Sequence, residues 1–141
     1  MNSYMARYHD NQIQTASPEQ ILIMLYDGAI LFCRQASLAM KTGDRAVKCE
    51  KISRAVAIVC EFSNSLDHAL GGKIAADLDA LYSFMIRELT RANMEDEPEP
   101  LQLVEDMLTD LRQTWEEAAG TYTRERQILC ETTGSTVAAV L

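Results

Sequence analysis

Residues Thr15–Arg34 read TASPEQILIMLYDGAILFCR, and this stretch decides the fold. Ser17 is a natural N-cap, Pro18 suits the first helical position, and Gln20 stands where its amide can close a capping box onto the Ser17 backbone. Beyond the cap, Leu22, Leu25, Tyr26, Ala29, Phe32, Cys33, Ala36 and Met40 recur at helical spacing as a core stripe. Ile21, Met24, Gly28 and Leu31 fill the flank beside it, and Ile23 and Ile30 lie further round. A helix this apolar on several sides requires cover, either from neighbours that enclose it or from a second chain.

Punctuation and period extend the pattern into four helices. The first ends at Thr42-Gly43, and Asp44 caps a second helix running to about Leu70, with Cys49, Ile52, Ala55, Val56, Val59, Phe62, Ser63 and Leu66 inward. Gly71-Gly72 then reads as its terminator, because glycine takes positive φ freely. A third helix spans about Ile74 to Asn93, with Ile74, Leu78, Leu81, Tyr82, Met85 and Leu89 as its stripe. The acidic, proline-bearing segment MEDEPEP (94–100) reads as a connector. The fourth helix starts near Pro100 and carries Leu101, Val104, Leu108, Leu111, Trp115 and Ala118. Short connections between long helices make neighbours antiparallel, so the expected fold is an all-α, up-down four-helix bundle. Its expected parts are an N-terminal arm over 1–14, the bundle over 15–122 and an extension over 123–141. The extension is expected to be disordered, although Tyr122 and Ile128-Leu129 would let the fourth helix continue.

Composition narrows the function. The chain has 141 residues, 48% hydrophobic and 24% charged, with a net charge of −8. That charge opposes nonspecific attraction to nucleic acid or anionic lipid. The cysteines at 33, 49, 60 and 130 form no CxxC pair, and His9 and His68 complete no zinc spacing. Cys33, Cys49 and Cys60 fall in helical patterns and read as reduced core residues. The first 14 residues lack an apolar leader core, and no apolar run approaches the roughly 20 residues of a membrane span. The expected location is the cytosol.

No residue set supports catalysis. Asp27 lacks a second acid or a histidine at a useful spacing and reads as a rim charge. His68, in DHALGG, lacks the following lysine of phosphotransfer bundles and reads as an exposed or capping residue near a helix C-terminus. There is no phosphate loop, nucleophile elbow or HExxH motif. No enzyme, cofactor or metal site is expected. Gly28 costs about 1 kcal/mol relative to alanine in mid-helix, which is explained either by close approach of a neighbouring helix or by room for a bound peptide. Met24, Met40, Met85 and Met107 lie on helical stripes as core filler, and a thioether also suits a groove for an irregular apolar partner.

The residues then match a family. TASPEQILIMLYDGAI (15–30) follows a short segment with Tyr8, Asn11 and Ile13. After it come GD (43–44), SLD (65–67), GGKIAADLDALYSFMIRELTRAN (71–93) and LRQTW (111–115). In this order and spacing, over about residues 8–119, the chain resembles the flagellar secretion chaperone family FliS. The connector is longer and more acidic than that pattern, and nothing beyond Gly120 matches it. The resemblance implies the same antiparallel bundle and a role without catalysis. Such proteins bind the disordered C-terminal region of newly made flagellin, prevent premature polymerisation, and assist delivery to the flagellar type III export gate.

A flagellin-binding surface is expected on the flank of the first helix at Ile21, Met24, Gly28 and Leu31. Tyr8 and Ile13 of the arm would border it as a displaceable lid, with Leu78 and Tyr82 beside a neighbouring groove. The alternative is a bundle adaptor or regulator holding another flagellar protein, such as an antisigma factor. A homodimer through the apolar flank is left open, while nucleic acid and membrane insertion are not expected.

Overall fold

A computed structural model describes residues 16–133 of the chain. They form four helices and, among the described residues, no strand: α1 (Pro18–Thr42), α2 (Arg45–Asn64), α3 (His68–Glu95) and α4 (Glu99–Thr133). The arm over 1–14, with Tyr8 and Ile13, lies outside the described residues. So do residues 134–141, and α4 runs unbroken across the expected boundary between 122 and 123.

Local chemistry sets most helix ends. The Ser17 backbone N–H donates to Gln20 Oε1 at 2.9 Å, and the Gln20 N–H donates to Ser17 Oγ at 3.2 Å, a complete capping box. α1 stops where Gly43 takes φ 75°, with Gly43 N–H donating to Met40 O and Asp44 N–H to Ala39 O. Asp44 accepts from the Val47 N–H at 3.2 Å and starts α2. α3 ends in the same way, except that Asp96 supplies the left-handed residue (φ 56°) and the Glu97 N–H reaches Ala92 O.

The boundary between α2 and α3 differs from expectation. α2 closes at Asn64, not Leu70, and Asp67 caps the next helix by accepting from the Leu70 N–H at 3.0 Å. Gly71-Gly72 therefore terminates nothing: Gly72, at φ 51° and ψ −123°, is a kink inside α3. His68 accordingly stands in the first turn of a helix, not near a C-terminus. The acidic connector shrinks to residues 96–98, since α3 reaches Glu95 and α4 begins at Glu99.

The described chain divides into two compact units, one of residues 16–23 with 111–133 and one of Met24–Asp110. Within Met24–Asp110, α2 and α3 pack together and run antiparallel. Ser63 Oγ donates to Asp79, Cys49 Sγ to Asn93 Oδ1 and Lys48 Nζ to Asp96, so the partner numbers climb as the α2 numbers fall. α1 lies antiparallel to α2 by the same logic: Tyr26 stacks on Phe62 at 4.4 Å between ring centroids, and Phe32 lies beneath Lys51 and Arg54. The core of this unit is Tyr26, Ala29, Ile30, Cys33, Ala36 and Ala39 of α1, Ile52, Ala55, Val59 and Phe62 of α2, Ala75, Tyr82, Met85, Leu89 and Ala92 of α3, and Leu101, Val104 and Leu108 of α4. Ile30, expected off the stripe, is buried, while Leu22, Leu25, Phe32 and Met40 are only half-buried. Tyr26 and Tyr82 share a buried hydroxyl–hydroxyl hydrogen bond of 2.7 Å.

Two expectations drawn from hydropathy are corrected. Cys49 is exposed, and its neighbour Lys48 is buried in its place. α1, with a mean hydropathy of 1.4 over an 18-residue window, is long and apolar enough to cross a membrane by length and composition. Its buried residues are spent on the packing just described, and a single helix of this kind does not indicate a span. Only 28% of that window is buried, however, so much of its apolar surface is not enclosed.

Candidate binding surface

With the core filled, the question is which apolar side chains remain outside it. On α1, Leu31 is 50% exposed and Leu38 63%, seven residues apart and therefore on one side of the helix. Two residues separate Leu31 from the fully buried Cys33, about 200° of rotation at 3.6 residues per turn. The two face nearly opposite ways. Met24 and Gly28, on the Leu31 side, are half-buried. A Cβ placed on Gly28 would meet Ile58 Cδ1 at 3.5 Å, an ordinary contact, so no crowding by α2 forces glycine there. Further along α1, Arg34 reaches Glu105 of α4 at 2.6 Å, and Leu103 of α4 is a further exposed apolar residue.

α3 carries a second outward strip. Ile74 is 72% exposed, Leu81 is exposed and Leu78 between them is half-buried, although all three were expected in the core stripe. Leu70, in the turn before the kink, is 88% exposed. Tyr82, expected both on the core stripe and beside a groove, is buried as the stripe requires, with its hydroxyl against Tyr26, so it supports the surface from beneath and presents no side chain to a partner. Towards the end of α3, Ile86, Arg87, Thr90, Arg91, Met94 and Glu95 line a shallow hollow of about 320 Å³.

In the unit of residues 16–23 and 111–133, Ile21 is half-buried. Glu19 and Leu22 of α1 and Trp115, Ala118 and Ala119 of α4 line an apolar hollow of about 180 Å³ there. Trp115, expected on a core stripe, thus lines an open concavity.

Among the described residues, the acid and the histidine singled out in the sequence stand apart. Asp27 and His68 are exposed, and no three metal-binding side chains cluster among the described residues. Burial, reinforced by the charge of Glu105, pushes the Cys33 thiol up to about 12, which leaves it an inert core residue. The arrangement offers apolar strips on a helical frame, suited to holding another chain.

A family model described as Flagellar protein FliS matches residues 1–122. The chain belongs to the FliS family. Among its relatives, the flagellar secretion chaperone FliS of Vibrio cholerae is 34% identical over 113 residues, covering 80% of this chain and 83% of that one. The Salmonella typhimurium protein of the same name is 34% identical over 109 residues, covering 77% and 81%. That of Bacillus subtilis is 32% identical over 125 residues, covering 89% and 92%. A solved structure described as a flagellar chaperone from bacteria matches with a TM-score of 0.70 at 19% identity, covering 84% of this chain and 97% of that one, which shows the same all-α fold. The FliS relatives are named as chaperones, a role without catalysis, and this chain is likewise not an enzyme.

Against the FliS resemblance, α1 brings Met24, Gly28 and Leu31 onto one side as expected from spacing, and Leu38 extends that side. Sequence reasoning missed Leu38, Ile74 and Leu81 as surface residues. The spacing of Leu31 and Leu38 was the available signal, since a heptad step off the core stripe marks an outward row.

Proposed function

We propose that this protein is a cytoplasmic export chaperone for flagellin. It binds the disordered C-terminal segment of the unassembled subunit, keeps it from polymerising and assists its delivery to the flagellar type III export gate. The observation that carries this reading is the row of unenclosed apolar side chains on α1, with Leu31 and Leu38 outward from a helix whose opposite side is fully packed. Flagellin terminal segments associate through apolar helical faces, and such a row offers them a substitute partner. Folding of a disordered segment on the bundle buries on the order of 1,000–3,000 Å² at an ordering cost of about 2–5 kcal/mol or more. A broad interface of this kind remains releasable without nucleotide hydrolysis.

The membership in FliS and the names of the relatives support the reading. Its proposed contact residues are Ile21, Met24, Gly28, Leu31 and Leu78, with Leu38 added, and with Tyr8 and Ile13 of the arm. The test is titration calorimetry of the full chain with a C-terminal flagellin peptide. Stoichiometric binding with a strongly negative heat-capacity change is expected. Leu31→Glu and Met24→Glu should abolish it while the far-ultraviolet circular dichroism stays that of the parent. A chain that leaves the peptide unbound, yet captures an antisigma factor, would be a regulator and not a flagellin escort.

A further inference from the structure

We propose that Gly71-Gly72 is a two-position joint in α3, and that engagement of the client straightens it. The identity of the client rests on the function proposed above; the joint itself does not. In the present structure, the turn His68–Gly71 is set off from the rest of α3 by Gly72 at φ 51° and ψ −123°, a conformation open essentially to glycine alone. Gly71 is required for a different reason. A Cβ there would lie 2.7 Å from the Cβ of Ala75, closer than packed carbon atoms come. The two glycines thus serve the kinked form independently, one by torsion and one by space.

Neither is required by a straight helix. In a continuous helix, Cβ atoms four residues apart are about 5–6 Å from each other, so the clash with Ala75 belongs to the kink alone. The straight form is already capped, because Asp67 accepts from the Leu70 N–H at 3.0 Å and Asp67 O accepts from the Gly71 N–H at 2.7 Å. Straightening would place Leu70 four residues before Ile74 on a regular helical row with Leu78 and Leu81. Leu70 and Ile74 are 88% and 72% exposed, so that row is formed from side chains that now lack cover. A ligand that binds the straight row better than the kinked one shifts the population toward it.

The experiment uses the full chain, with Cα chemical shifts of residues 68–73 read by NMR in the parent, Gly72→Ala and Gly71→Ala. The parent alone should give non-helical shifts at Gly72, and both variants should give helical shifts through 68–73 with a stronger dichroism signal at 222 nm. A C-terminal flagellin peptide should move the parent to the variants' shifts, and the variants should bind that peptide several-fold more tightly. Loss of the fold in both variants overturns the joint, because a second position would accommodate alanine. So do folded variants that keep the non-helical signature. A parent that binds the peptide with its kink intact, or straight variants that bind no better, overturns the coupling to the client. A peptide that binds no form defeats that coupling together with the proposed function, while the free-protein spectra still decide the joint.

Discussion

Lys48 Nζ lies 2.7 Å from Asp96 Oδ1 and 3.3 Å from the carbonyl oxygen of Asn93, so one buried lysine of α2 closes the C-terminus of α3. Its stem is enclosed, with only 6% of the side chain exposed, while the Asp96 carboxylate is open to solvent. The cation serves both a carbonyl of the last helical turn, that of Asn93, and the acid in the left-handed capping position. Lys48→Met keeps the buried stem and loses the charge, and should lower stability by about 1 kcal/mol. Lys48→Ala should cost more, because packing is lost as well. Urea midpoints of the two variants check the order.

Asp96 gives this contact a pH dependence. The hydrogen bond from Lys48 lowers its carboxyl below the ordinary value, with smaller help from the charges of Lys48 and Arg45. A carboxyl depressed in the folded state stabilises it fully above the unfolded value, near 3.9. That contribution fades as pH falls through the folded value. Asp96→Asn retains tolerance for positive φ but removes the charge. The stability gap between parent and variant should therefore be constant from pH 7 to 5 and close below pH 4, as read by urea melts across that range.

Tyr82 offers a second titration with the opposite sign. Burial, followed by the hydrogen bond with Tyr26, raises its phenol above the ordinary range, so the neutral form is the one the fold accepts. Its contribution is intact below about pH 10, where an unfolded tyrosine ionises, and is lost above it. Tyr82→Phe should cost about 1 kcal/mol at neutral pH through the lost hydroxyl pair. Absorbance at 295 nm should show one fewer phenolate appearing with the unfolding transition at alkaline pH.

The thiols should separate cleanly. Cys33 is buried with its thiol held high, and Cys49 is exposed on α2. Brief treatment of the native protein with iodoacetamide should modify Cys49 and spare Cys33, and denaturant should make both reactive. Peptide mass mapping reads the result.

Gly28→Ala should be a gain in stability. The added methyl meets Ile58 Cδ1 at ordinary contact distance, and the residue is inside α1. Alanine then contributes about 0.5–1 kcal/mol through helix propensity and a less flexible unfolded chain. A thermal melt with a raised midpoint is the expected outcome.

The legible parts of the fold were those fixed within a few residues. The Ser17–Gln20 box, the Gly43 stop and the Asp44 cap are local side-chain and backbone chemistry, and the sequence announces each of them. The α2–α3 boundary was obscured because a glycine pair signals a stop more loudly than the aspartate cap at Asp67 signals a start. Cys49 and Lys48 were exchanged because hydropathy ranks thiol over ammonium, and the acid that makes burial of Lys48 tolerable is 48 residues away. For the surface, period identified a flank on α1, but it does not say which flank a neighbour covers. Ile74 and Leu81 accordingly read as core, whereas Tyr82, placed on the core stripe and also beside a groove, keeps only the first of these places, enclosed by Phe62 and Tyr26.

Only Ser65, Leu66 and Asp67 join α2 to α3, and the hydrogen bond from Ser63 to Asp79 ties the two helices together across 16 positions of sequence. Closing so short a connection sacrifices little chain freedom, and pairings near in sequence form quickly. The α2–α3 hairpin is thus expected to form early in folding. Both of its helices precede α4 in the chain, so the pairing can form while α4 is still being synthesised.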